Sequence, residues 1–200
     1  MAGNDPLGAL RAALARPGGE TSDHDLNPDF VMPEGRVLRA AAVLVPIRPA
    51  PSGLRVILTK RSSRLRHHPG QIAFPGGKLD EGDDGPVGAA LRESHEEIGL
   101  PPGLVEVLGT LPPHETVTGF TVTPVLGHVR DAFDPVPEAG EVDEVFEVPF
   151  DHVMDPARFA VQSRIWRGQR RHYYTVPYGP YYIWGATARI LRALADRVAR

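Results

Sequence analysis

GGKLDEGDDGPVGAALRESHEEIGL, residues Gly76 to Leu100, decides how this chain is read. It runs from a glycine-rich loop into a segment of helical character at about 86–98, where Glu93, Glu96 and Glu97 fall within one turn. At about 100° per residue, Glu97 lies roughly 40° from Glu93 around the axis and Glu96 roughly 60° to the other side. All three carboxylates therefore leave one face. Like charges four residues apart cost an exposed helix roughly 0.2–0.5 kcal/mol per pair, so the cluster asks for a counter-charge. Arginines could provide it on a solvated acidic face. A hard dication with a preference for oxygen ligands could provide it too, and magnesium and manganese fit that description.

The flanking residues favour the cation. Upstream, LTKRSSRLRHHPGQIAFPGG spans Leu58 to Gly77. Leu54–Thr59 is apolar and β-prone and ends in Lys60, Arg61, Arg64 and Arg66. Pro69-Gly70 signals a turn, and Phe74-Pro75-Gly76-Gly77 permits tight turns and close backbone approach to a ligand. A basic strand end opposite an acidic helix suits a substrate with several phosphates, whose oxygens need both arginine donors and bridging metal ions.

These residues resemble the Nudix hydrolase family, marked by Gx5Ex7REUxEExGU with U a bulky apolar residue. Arg92 to Leu100 match REUxEExGU except at Ser94, which takes the first apolar position. The first half departs: the acid is Asp83, and one extra residue separates it from Arg92. Both departures resemble the coenzyme A diphosphatase branch, which carries a second pattern, LLTxR(S/A)x3Rx3Gx3FPGG. Leu58, Thr59, Arg61, Ser62, Arg66, Gly70, Phe74, Pro75, Gly76 and Gly77 fit it, with Ile57 in place of its first leucine.

The resemblance implies an α/β fold, a Nudix-type α/β/α sandwich with a mixed central sheet. It implies hydrolysis of the pyrophosphate of coenzyme A or its thioesters, giving 3′,5′-ADP and (acyl-)4′-phosphopantetheine, with Mg²⁺ or Mn²⁺ as cofactor. The metal ligands are then Glu93, Glu96, Glu97 and the Gly77 carbonyl. Arg92 orients a glutamate and has Asp83 as its loop-side partner. Substrate contacts fall to Arg61, Arg66, Gly76 and Phe74. A further glutamate for water activation is drawn from Glu141, Glu144 or Glu115, and Glu141 joins the catalytic set. His67 and His68 are zinc-ligand types, but adjacent residues point apart and no thiolate accompanies them. Alternatives are the same chemistry on ADP-ribose or NADH, and a non-catalytic nucleotide-sensing regulator. The partner is a small molecule, and pairing as a homodimer accords with the family.

Composition sets outer bounds. The 200 residues carry a net charge of −3, which argues against a general binder of nucleic acid or anionic membrane. There are no cysteines, hence no disulfides or thiolate metal sites. No apolar run reaches the roughly 18 residues of a membrane span and no signal-peptide core is present, so a cytoplasmic location is expected. With 21 glycines and 21 prolines beside frequent apolar runs, many loops are expected rather than disorder.

Two units are expected: an N-terminal helix and linker over 1–34, and the Nudix domain over 35–200. Pro6–Ala15 reads as an amphipathic helix, and Pro17–Pro33 as a linker wrapping the domain. Strands are expected at Val37–Ile47, Leu54–Thr59, Val105–Leu111, Phe120–Val129 and Glu141–Val148. A hairpin is expected from Arg158–Arg164 and His172–Val176 across Arg167–Gln169, and a closing helix at Ile183–Val198. Gly99 is placed to cap the acidic helix, with Pro101-Pro102 blocking its continuation. Phe120, Tyr173, Tyr174, Tyr178, Tyr181 and Tyr182 are candidates for lining a pocket.

Overall fold

Alternating side chains on two long strands build the centre of the molecule. The computed structural model describes residues 6–30, 35–166 and 168–199. Residues 31–34, which include the end of the expected linker and its boundary, and Arg167 of the expected hairpin turn lie outside them. β1 is Thr21–Ser22, β2 Arg39–Ala50, β3 Gly53–Arg61, β4 Ile72–Ala73, β5 Gly76–Lys78 and β6 Val105–Thr110. β7 is His114–Glu115, β8 Phe120–Val129, β9 Val142–Pro149, β10 Ala160–Trp166 and β11 Gln169–Thr175. The helices are α1 Pro6–Ala15, α2 Gly85–Ile98, α3 Phe150–Val153 and α4 Gly185–Val198.

Among the described residues, nine strands form one mixed sheet whose main path runs β1-β7-β8-β2-β3-β4. β2 pairs parallel with β8 and antiparallel with β3, while β9 lies antiparallel to β3. β10 and β11 form a separate hairpin.

Successive residues of a strand face opposite sides, and here the two sides are both apolar. Val45 and Ile47 of β2, Val56 and Leu58 of β3, and Phe146 and Val148 of β9 enter the larger core with Ile190, Leu191 and Leu194 of α4. Ala42 and Leu44 of β2, Ile57 of β3, and Val125 and Val129 of β8 enter the smaller core with Ala89, Ala90 and Ile98 of α2. Helices thus cover both faces of a mixed sheet, the expected α/β/α sandwich. Among the described residues no helix is long and apolar enough to cross a membrane.

The N-terminal segment packs into this same unit. Leu10 of α1 is buried in the larger core, and β1 adds to the sheet edge parallel to β7. His114 of β7 is 0% exposed, and both ring nitrogens are used: Nδ1 lies 2.9 Å from Thr21 Oγ1 and Nε2 3.2 Å from Asp23 Oδ1. The other Asp23 oxygen accepts from the Val117 N–H at 2.9 Å. Asn27 then grips β11, donating to His172 O at 3.0 Å and accepting from His172 N at 2.8 Å.

Candidate active site

α2 begins after Asp84, with Gly85 at φ 61° and Pro86 at its first turn, where a missing N–H costs nothing. It ends at Gly99, φ 69°, whose N–H bonds His95 O at 2.9 Å. That left-handed cap is what the glycine permits, and Pro101 and Pro102 follow it. Ser94, the polar residue at an apolar position, is buried on the core side. Its hydroxyl donates to Ala90 O at 2.7 Å, so the helix itself satisfies the group.

Arg92 is the organiser of the acidic face. Its Nε and Nη2 donate to the two oxygens of Asp83, both at 2.9 Å, a fork-to-fork pairing. Its Nη1 reaches Glu93 Oε1 at 3.0 Å and Glu96 Oε2 at 3.2 Å, and its Nη2 also reaches Lys78 O at 3.2 Å. The Arg92 hydrogen bonds hold the Asp83 carboxyl at about 2, and those same bonds push the Arg92 guanidinium up. The shorter aspartate therefore contacts Arg92 directly.

Glu97 is 5% exposed. One oxygen accepts from the Gly76 N–H at 3.0 Å. Burial pushes its carboxyl up to about 7, against the opposing pull of that hydrogen bond and of Arg61, with Glu93 and Glu141 raising it further. Burial likewise pushes Glu93 up, although Arg92 opposes it and Glu96 and Glu141 add to it. Gly76 is sterically required, and Gly77 leaves the Glu93 carboxylate its place. A Cβ on Gly76, at φ 154°, would strike the backbone of Ala42 and Val43, and one on Gly77 would strike the Glu93 carboxylate.

Glu141 reaches this face because its loop is tied to both neighbours. Glu138 N bonds Glu97 O at 2.9 Å, Val136 N bonds Ile98 O at 3.0 Å, and Ser62 N bonds Glu141 O at 2.8 Å. The other two glutamates weighed for water activation are engaged elsewhere. Glu144 accepts from the Tyr181 hydroxyl, and its neighbour Val145 packs toward α2 in its place. Glu115 pairs with Arg36 at 3.1 Å.

Arg61 shares a strand face with Ile57 and opposes Glu97 electrostatically, while its buried Nε has no hydrogen-bond partner. Arg66 is exposed on the following loop. Phe74, expected at the substrate surface, is 4% exposed and belongs to the larger core, where it anchors the loop from inside. Among the described residues no three carboxylates or imidazoles form a ready-made cation cage, because Arg92 holds Glu93 and Glu96 and Gly76 holds Glu97. Glu93 and Glu97 each commit one oxygen to those bonds. Each therefore keeps one oxygen outside those bonds, a hard anionic donor of the chemistry a divalent cation takes. Lys60, adjacent to Arg61 in sequence, lines a separate cavity, so the basic strand end does not act as one cluster.

A model of the NUDIX domain matches residues 38–169. An uncharacterized Nudix hydrolase, NudL, of Enterobacter sp. (strain 638) is 44% identical over 161 residues, covering 80% of this chain and 83% of that protein. NudL of Escherichia coli (strain K12) is 43% identical over 162 residues, with the same coverage of 80% and 83%. Among solved structures, the Nudix hydrolase RenU of M. smegmatis superposes with a TM-score of 0.50 at 29% identity, over 60% of this chain and 83% of that one. The MutT protein of Methanosarcina mazei Go1 shares the fold, with a TM-score of 0.53 at 18% identity over 84% and 99%.

Proposed function

Because the chain belongs to the NUDIX domain family, we propose that this Nudix pyrophosphatase cleaves the pyrophosphate bond of coenzyme A or its thioesters. The products are 3′,5′-ADP and 4′-phosphopantetheine or its acylated form. One observation carries the reading. Buried Glu97, hydrogen-bonded to the Gly76 N–H, feels the charges of Glu93, Glu141 and Arg61, in a segment whose spacing fits the coenzyme A diphosphatase pattern.

Glu93, Glu96, Glu97 and the Gly77 carbonyl would hold Mg²⁺ or Mn²⁺, which when bound acidifies water and neutralises charge on phosphoryl oxygens. Arg92 fixes the rotamers of Glu93 and Glu96, and Asp83 fixes Arg92. Arg61 and Arg66 take phosphate oxygens. Glu141 accepts the proton of the attacking water. The water oxygen bonds to one phosphorus as the bridging P–O bond breaks, and the departing phosphate keeps that electron pair.

Purified protein with Mg²⁺ or Mn²⁺, offered coenzyme A, acetyl-coenzyme A, ADP-ribose and NADH, tests the reading. Coenzyme A or its thioester is expected to lead in kcat/KM by about tenfold or more. A preference for ADP-ribose or NADH overturns the substrate assignment.

A further inference from the structure

A cavity of about 450 Å³ opens at the same end of β3 as the acidic site. Lys60 lines it, whereas Arg61 acts electrostatically on Glu97 of the acidic site, so adjacent cations serve two compartments. Its rings are held in place. Tyr181 stacks on Phe146 with centroids 3.6 Å apart, and its hydroxyl donates to Glu144. Trp184 is braced by Tyr173 at 5.1 Å and by the Arg164 guanidinium 4.2 Å from its ring. Tyr182 stands at the mouth, 45% exposed, with its hydroxyl 3.4 Å from that of Tyr173.

Fixed aromatic walls, an exposed ring, one ammonium and one carboxylate make a specific combination. Aromatic faces stack on nucleobases, a lysine binds phosphate as a point charge, and a carboxylate accepts from an exocyclic amine. A pantetheine arm has no flat ring to stack and no anion for Lys60.

We propose that this cavity holds the adenine nucleotide half of the substrate. The base lies on Tyr182 and Trp184, its amino group faces the second oxygen of Glu144, and the 3′-phosphate rests on Lys60. The inference rests on the diphosphatase reading above and assigns the orientation of the substrate across β3, leaving the pantetheine half on the other side of the cleaved bond.

Calorimetric titration of the full-length protein with 3′,5′-ADP, AMP and 4′-phosphopantetheine tests it. Unaltered protein is expected to bind 3′,5′-ADP about tenfold more tightly than AMP. Tyr182→Ala is expected to weaken both adenine nucleotides about tenfold, and Tyr182→Phe to restore them. Lys60→Met is expected to weaken 3′,5′-ADP about tenfold and AMP less than about twofold, with 4′-phosphopantetheine unmoved in every variant. Equal affinity for 3′,5′-ADP and AMP in unaltered protein, or variants that shift 4′-phosphopantetheine instead, overturns the cavity assignment alone. Cleavage of ADP-ribose with none of coenzyme A overturns the substrate assignment alone, since the AMP arm still reads the cavity.

Discussion

Two polar clusters in this molecule are built from similar parts and end in opposite states. At the sheet edge, Asp23, His114 and Thr21 close on one another: the buried imidazole uses both nitrogens, and both Asp23 oxygens are bonded. On α2, Arg92 serves Asp83, Glu93 and Glu96, while Glu97 and Glu141 share the remaining field with the partnerless Arg61 Nε. A polar group left partly unmatched in a buried place costs stability, whereas a closed network rigidifies. The first cluster is complete without a ligand. The second keeps a buried donor uncommitted, and in the proposed enzyme that imbalance separates a fastener from a reaction centre.

The sharpest way to break the contrast is Glu97→Gln. Activity on coenzyme A is expected to fall roughly 10³-fold, about 4 kcal/mol of transition-state stabilisation. Tm should hold or rise, because an uncomfortable buried carboxyl has been neutralised. Retained activity, or a collapsed fold, places Glu97 in the structural class instead.

Next comes the pair Glu141→Gln and Glu115→Gln, compared by pH–rate profiles. Loss of a proton acceptor is expected to cost about 10²-fold in kcat. Glu115→Gln, whose carboxylate belongs to Arg36, should stay within about twofold of unaltered protein. Reversed effects would move water activation to the β7 edge of the sheet.

Gly77→Ala sharpens the steric side of the comparison. The added methyl displaces the Glu93 carboxylate, so kcat is expected to fall about tenfold to a hundredfold, as for a misplaced supporting group. Circular dichroism should be unchanged.

The smallest effect on catalysis comes from Asp23→Asn, which acts through stability. Burial alone would raise the Asp23 carboxyl, but the His114 hydrogen bond and charge and the Val117 N–H hold it below its ordinary 3.8. A lowered carboxyl contributes stability above the ordinary value and loses it as pH falls through the folded value. The variant should therefore lose about 1–3 kcal/mol at neutral pH. Its Tm gap to unaltered protein should narrow below pH 3.8, with kcat little changed at neutral pH. A gap that stays constant into acid would show that the carboxylate charge is not what fastens the edge.

Long elements were legible because each carries a period. Phe120–Val129 occupies its expected bounds, and α2, α4 and the capping Gly99 fall where apolar spacing and the glycine put them. Strands of two or three residues, such as Thr21–Ser22, Ile72–Ala73 and His114–Glu115, have no period to read and exist only through their partners. The site divides similarly. Spacing along one helix put Glu93, Glu96 and Glu97 together, but direction across the sheet stayed hidden. Phe74 turned inward, Glu144 turned to Tyr181, and Lys60 parted from Arg61. A motif gives proximity along the chain, and packing decides which way each side chain points.

The N-terminal segment is fastened to parts of the chain made much later. Thr21 pairs with His114, Asn27 with His172, Asp25 with Arg189 at 2.7 Å, and Arg16 and Arg197 bond each other's carbonyls. On the ribosome, the segment from Arg16 to Asn27 must therefore wait for β11 and α4 before its docking is complete. Until α4 emerges, one apolar face of the sheet lacks its longest covering helix. That makes the synthesis of α4 a commitment step, and a nascent chain stalled before Gly185 a natural client for chaperones.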